Sequence, residues 1–149
     1  MTADREIPPM GAVMTPFPHA IDIDAPLTDA RRMMVEHEIR HLPVKEDGKL
    51  VGLVTDRDLK LVASLRPQSS NRAGEIRVRS ACVFDVYTAK MSTPVTEVAA
   101  EMHRRRIGST LITKEGRLAG IFTANDACRV LTEVLGGSIA DPPRDQGAA

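Results

Sequence analysis

The chain repeats itself. Pro26-Leu27-Thr28-Asp29-Ala30 returns as Pro94-Val95-Thr96-Glu97-Val98, an offset of 68 residues. The same offset runs without a gap to Val62 and Val130. It aligns Met34 with Met102, Ile39 with Ile107, Gly48 with Gly116 and Leu50 with Leu118. It also aligns Gly52 with Gly120, Thr55 with Thr123 and Asp58 with Asp126. A fixed period that keeps glycines, a threonine and an aspartate in step implies two copies of one supersecondary unit. In a chain of 149 residues, each copy is too small to hold a core easily by itself. The two copies are therefore expected to pack together.

Each copy has the same plan. Pro26 and Pro94 fit the first position of a helix, where a missing N–H costs nothing. Asp29 and Glu97 follow in the first turn, where the helix dipole favours negative charge. Leu27, Ala30 and Met34, matched by Val95, Val98 and Met102, have helical spacing. A strand follows at Leu42–Lys45, matched by Thr110–Thr113. Asp47-Gly48 and Glu115-Gly116 then provide a turn, the first a good hairpin signal. A second strand covers Leu50–Val54 and Leu118–Phe122, and a second helix starts near Asp56 or Ala124. That helix has an apolar face of Leu59, Val62 and Ala63 in one copy and Ala127, Val130, Leu131 and Val134 in the other. With a short leading strand, each unit reads strand, helix, strand, strand, helix.

The sharpest motif lies at the strand-to-helix junction. Gly52-Leu53-Val54-Thr55-Asp56-Arg57-Asp58 is matched by Gly120-Ile121-Phe122-Thr123-Ala124-Asn125-Asp126. Two readings stand side by side. Thr-x-x-Asp at a helix start resembles a capping box, which needs no ligand. The same geometry also suits a nucleotide: a helix N-terminus offers N–H groups to a phosphate, a Thr hydroxyl adds a hydrogen bond, and a carboxylate accepts from vicinal ribose hydroxyls. Glycine at the strand permits close backbone approach.

Other function classes find little support. Twenty Lys and Arg balance twenty Asp and Glu, so general affinity for nucleic acid or an anionic membrane is not expected. Aromatic residues make up 3% and Trp is absent, which argues against stacking platforms for single strands. Residues 1–9 contain charges and two prolines and show neither a signal peptide nor a membrane span. Cys82 and Cys128 are too few for a disulfide scaffold, and reduced core thiols in a cytoplasmic protein are expected. His37-Glu38-Ile39-Arg40-His41 spells a zincin motif, but Pro43 disfavours helix at Leu42 and the repeat places His41 at a strand entry. No metal site, catalytic constellation or catalytic cofactor is therefore expected. Met33, Met34 and Met102 suit irregular core gaps. The Arg104-Arg105-Arg106 run reads as a solvated helix face, with a contribution of one cation to a ligand as the rival reading.

The paired G-h-h-T-x-x-D motifs, where h is apolar, together with Ile39-Arg40-His41-Leu42-Pro43-Val44, resemble the CBS-domain family from about Met10 to Leu135. The resemblance implies an α+β fold: two βαββα-type CBS repeats in a pseudo-two-fold arrangement, with ligand clefts between them. The expected division is an N-terminal extension (1–9), repeat one (10–63), a linker (64–77), repeat two (78–135) and a flexible tail (136–149). Family members bind adenosine-containing ligands and usually dimerise. By resemblance, one site here uses Thr123 and Asp126, lined by Ile39, Arg40 and His41, with Thr15 near its mouth. The other uses Thr55 and Asp58, facing Ile107, Gly108 and Ser109. Leu53 and Ile121 flank the base. Arg40, His41 and Arg57 occur where the second repeat has Gly108, Ser109 and Asn125, so the Arg40/His41 site is expected to favour phosphorylated ligands.

These expectations describe a regulatory module, not an enzyme. Its ligand is an adenine nucleotide of the AMP, ADP or ATP class. Its partners are a second copy of itself, as a homodimer, and an effector protein acting in trans. The alternative is a ligand-independent dimerisation or docking module in which the Thr-x-x-Asp pairs are only caps. The helix faces around Leu59 and Val62 and around Val130 and Val134 are the expected dimer interface, with core packing as their alternative use.

Overall fold

The computed structural model of the chain describes residues 6–16, 19–65 and 76–137. Most of the expected linker and tail, and the start of the N-terminal extension, lie outside these residues. The described elements, in order, begin with α1 (Met10–Val13), β1 (Thr15–Pro16), β2 (Ile21–Asp22) and α2 (Leu27–Glu36). Repeat one continues with β3 (His41–Glu46), β4 (Lys49–Thr55) and α3 (Asp56–Ser64). After a 3-10 turn at Val78–Ser80 come β5 (Thr88–Lys90), α4 (Val95–Arg105), β6 (Ser109–Lys114), β7 (Arg117–Thr123) and α5 (Ala124–Val134). Each repeat thus has the expected strand, helix, strand, strand, helix. The hairpin strands run one residue further at each end than the hydrophobic pattern predicts.

Local chemistry explains the boundaries. Pro26 and Pro94 stand one place earlier than expected, as N-caps in extended backbone with ψ of 143° and 140°. Both hairpins turn through two left-handed residues: Asp47 and Gly48 at φ 51° and 77°, and Glu115 and Gly116 at φ 52° and 76°. That is the type I′ geometry whose twist matches paired strands. Irregularities in register also recur at the same offset, between Val44 and Lys45 and between Ile112 and Thr113.

The sheets reveal an exchange that the hydrophobic pattern does not show. One sheet has the order β1-β7-β6-β5 and the other β2-β3-β4. β1, from the start of the chain, pairs antiparallel with β7 of the second repeat, Thr15 opposite Ile121. Reciprocally, Val83 bridges Leu53 of β4 in the first repeat. Val83 lies 68 residues after Thr15, so the repeat extends further towards the N-terminus than the motif comparison showed. Each repeat is completed by the segment that precedes the other.

The core follows the same exchange. Ile76, Val78 and Ala81 pack with Leu27, Met34, Leu42, Val54 and Leu59 of repeat one. Met10, Val13 and Met14 pack with Val98, Met102, Ile112, Phe122 and Val130 of repeat two. A smaller cluster, Leu53, Leu111 and Ile121, joins the two sheets. Burying each large apolar side chain stabilises the fold by about 1.5–3 kcal/mol. Leu59 and Val130 therefore serve the core, while Leu61, Leu65, Leu131 and Leu135 stay exposed. The cysteines divide as well: Cys82 is partly buried, but Cys128 is exposed on α5 and is not a core thiol.

One core position is unfinished. Thr110 is fully buried in β6, and its hydroxyl has no hydrogen-bond partner among the described residues. The matching residue of repeat one is the apolar Leu42. Thr110→Val keeps the shape and removes the unpaired hydroxyl, so stability is expected to rise by about 1 kcal/mol. Urea denaturation checks this; a lowered midpoint would show that the hydroxyl is satisfied in solution.

Candidate functional site

The two Thr-x-x-Asp motifs form complete capping boxes. Thr55 ends β4 in extended backbone, with φ −112° and ψ 160°. Its backbone N–H donates to Asp58 Oδ2 at 2.9 Å and its hydroxyl donates to the same oxygen at 2.7 Å. Asp58 N–H donates back to Thr55 Oγ1 at 3.1 Å. Thr123 and Asp126 repeat these three bonds at 2.9, 3.0 and 3.2 Å. The first helical N–H of each helix is also engaged: Asp56 N–H donates to the Arg40 carbonyl and Ala124 N–H to that of Gly108, both at 2.9 Å.

A capping box uses one carboxylate oxygen and leaves the other. The two copies differ in what meets that second oxygen. Asp58 Oδ1 forms no hydrogen bond to a described residue. Asp126, only 7% exposed, has Oδ1 3.5 Å from Arg129 Nη2, and this guanidinium also donates to the Val13 carbonyl at 2.6 Å. Leu61 holds the place of Arg129 in repeat one, so the Asp58 carboxylate has no such neighbour.

Thr55 and Asp58 open onto a cavity of about 290 Å³ between the repeats. Leu53 and His41 also line it from repeat one, and Ile107, Gly108 and Ser109 from repeat two. The five residues expected at this cleft, Thr55, Asp58, Ile107, Gly108 and Ser109, therefore line one cavity, together with Leu53. Arg57 is exposed on α3 and does not line the cavity. Val83, Asp85, Val86 and Tyr87, from the exchanged segment, complete the wall together with Arg105. Sequence reading missed the four of the exchanged segment, and it preferred a solvated face for the arginine run that contains Arg105. For Val83 the signal was present: applying the repeat offset to Thr15 names it.

The residues assigned to the other cleft are distributed differently. Thr15 pairs with Ile121, beside the Thr123–Asp126 box. His41 lies on the wall of the Thr55–Asp58 cavity; a Cβ on Gly108 would stand 3.9 Å from its Nε2. Ile39 and Arg40 line an outer groove between α2 and α3, with Arg31, Asp56 and Lys60. Residues 17 and 18, which stand 68 positions before Asp85 and Val86 in the sequence, are outside the described residues. His37 caps the end of α2 and His41 opens β3, so the two histidines of the zincin-like motif do not share a helix face.

His41 is partly buried, and its imidazole is held below the ordinary value of 6.5. Desolvation is the largest cause, followed by the Arg40 charge; Asp58 opposes both. The folded state therefore resists a proton that the unfolded chain accepts. The resulting stability is present in full above pH 6.5 and is lost as pH falls from there towards the depressed folded value. His41→Gln is expected to flatten that part of the pH–stability curve in urea titrations. Parallel curves for both proteins would contradict it.

Among the described residues, no helix is long and apolar enough to cross a membrane. The CBS-domain family matches this chain twice, over residues 10–64 and 75–133. Inosine-5'-monophosphate dehydrogenase of Thermoplasma acidophilum is 34% identical over 109 residues, which are 72% of this chain and 20% of the dehydrogenase. The chain thus spans about a fifth of that enzyme's length. A CBS domain pair solved with 5'-methylthioadenosine and S-adenosyl-L-methionine superposes with a TM-score of 0.73 at 23% identity, covering 86% of this chain and 98% of its own. CBSX2, solved in complex with AMP, gives 0.69 at 23% identity, covering 85% and 98%. At such identity these likenesses speak for the fold alone. The tandem units, their reciprocal strand exchange and the two family matches agree: this chain is a member of the CBS-domain family, and carries a pair of its domains.

Proposed function

We propose that the chain is a regulatory module without catalytic activity that binds an adenosine-containing nucleotide between its CBS repeats and signals its occupancy to a separate protein. The observation that carries this reading is the cavity between the repeats, where Thr55 and Asp58 face Ile107, Gly108 and Ser109. Asp58 keeps one carboxylate oxygen for ribose hydroxyls while the other caps α3. The ligands of the similar CBS structures, AMP, S-adenosyl-L-methionine and 5'-methylthioadenosine, support the adenosine class. Ligand-driven switching requires two conformations of unequal affinity, so the partner must distinguish the filled from the empty cleft. Exposed Leu61, Leu65, Leu131 and Leu135 supply apolar surface for a homodimer, and two free thiols suit a cytoplasmic location.

The rival reading, a ligand-independent docking module, draws on the completed capping boxes, which give both motifs a structural purpose. Calorimetric titration with AMP, ADP, ATP, NAD and S-adenosylmethionine separates the two. Saturable binding of at least one is expected. A folded chain that binds none of them would favour the docking module.

A further inference from the structure

Arg105 closes one side of the Thr55–Asp58 cavity. It ends α4, and the arginine run it belongs to reads in sequence as a solvated helix face. The structure sets it apart from its neighbours. Its guanidinium lies over the Tyr87 ring, 4.7 Å from the centroid, and its Nε donates to Glu101 at 2.6 Å. The ring and the carboxylate hold the guanidinium plane in place. Its Nη1 and Nη2 atoms form no hydrogen bond to a described residue. Arg104 shares Glu101 but lines the outer groove between α4 and α5 instead. Hydrogen bonds from Arg104 and then Arg105 pull the Glu101 carboxyl down to about 2, so Glu101 stays ionised and in place.

The same position in the other half of the molecule is different. The repeat offset replaces Tyr87 with His19 and Arg105 with His37, and those two rings stack at 3.6 Å. One half of the molecule therefore has a permanent, oriented guanidinium where the other has an imidazole pair. At about 290 Å³, the Arg105 cavity lies near the small end of ligand pockets, about 300–1,000 Å³. In so small a space, a ligand held by Asp58 comes within reach of the opposite wall.

We propose that Arg105 is the specificity-determining residue of the Thr55–Asp58 cleft, reading a phosphate on the adenosine ligand and selecting phosphorylated over unphosphorylated adenosine. A planar guanidinium with two free nitrogens suits bidentate phosphate contact. His41, which lines the cavity from repeat one, adds ring nitrogens. This inference rests on the adenosine reading of the cleft. It moves the phosphate preference away from the Thr123–Asp126 cleft, where the Arg40-His41 pair had suggested it.

The test titrates the full chain with AMP and with adenosine, in the native protein and in Arg105→Ala, Arg105→Lys and Arg104→Ala. Native protein is expected to prefer AMP by about tenfold or more, the usual worth of a hydrogen bond to a charged group. Arg105→Ala should lose that preference by weakening AMP alone, Arg105→Lys should keep part of it, and Arg104→Ala should keep all of it. Thermal melts confirm that each variant is folded. Equal affinity of native protein for both ligands overturns the role of Arg105 and leaves the adenosine site standing. So does an Arg105→Ala variant that keeps its AMP preference or weakens both ligands equally. Failure of the folded native chain to bind either ligand removes both the site and the role.

Discussion

Gly52→Ala is expected to lower stability by about 3 kcal/mol, the upper end for overpacking a core. An added Cβ would lie 2.4 Å from the Val83 carbonyl oxygen and 2.6 Å from Cys82 Sγ. The carbonyl cannot simply retreat. It accepts from Leu53 N–H at 3.0 Å, while Val83 N–H donates to the Leu53 carbonyl at 2.8 Å. Those two bonds attach the exchanged segment to β4. The matching Gly120→Ala meets Met14 Sδ at 2.6 Å and the Thr15 carbonyl at 2.7 Å. Its thioether can move but its backbone cannot, so a similar but smaller loss is expected. Because Leu53 and Val83 also line the cavity, Gly52→Ala should weaken ligand binding as well. Urea unfolding and calorimetry on the same preparation check both effects. A Gly52→Ala protein as stable as the native one would mean that the exchanged segment does not sit against β4 in solution.

Asp58→Asn is expected to weaken nucleotide binding by about tenfold or more while leaving stability nearly unchanged. The two effects separate because the carboxylate has two oxygens with different work. Oδ2 accepts from Thr55 N–H and Oγ1. An asparagine carbonyl can accept both, so the helix cap survives. The amide nitrogen then stands where Oδ1 was, and a donor replaces the acceptor that ribose hydroxyls need. Asp58→Ala removes cap and acceptor together and should add a stability loss of about 0.5–2 kcal/mol. Calorimetry and thermal melts on the pair of variants read the two roles apart. Native affinity in a folded Asp58→Asn protein would mean that the Asp58 carboxylate does not hold the ribose.

Much of the fold was legible in the chain itself. Helix and strand positions follow from local causes: the apolar spacing of Leu27, Ala30 and Met34, the Asp47-Gly48 turn, and the Thr-x-x-Asp boxes. The facing of Thr55 and Asp58 by Ile107, Gly108 and Ser109 was also anticipated, through the family resemblance. The exchanged segments were not. Ile76, Val78, Val83 and Tyr87 carry no periodicity that says which sheet they join, because a short edge segment pairs with whatever edge its length of chain can reach. The place of Arg105 was equally hidden. A run of three arginines looks alike residue by residue, and only the end of α4 decides which one faces the cleft.

The sequence alone determined two equivalent units, their internal order and the motif at each strand-to-helix junction, since spacing and capping act within a few residues. The tertiary structure decided which segment completes which repeat, why Gly52 and Gly120 admit no side chain, and which charges share a cavity. Those outcomes depend on contacts between residues far apart in the chain, where hard-sphere exclusion and hydrogen-bond pairing select among arrangements that local preference leaves equal.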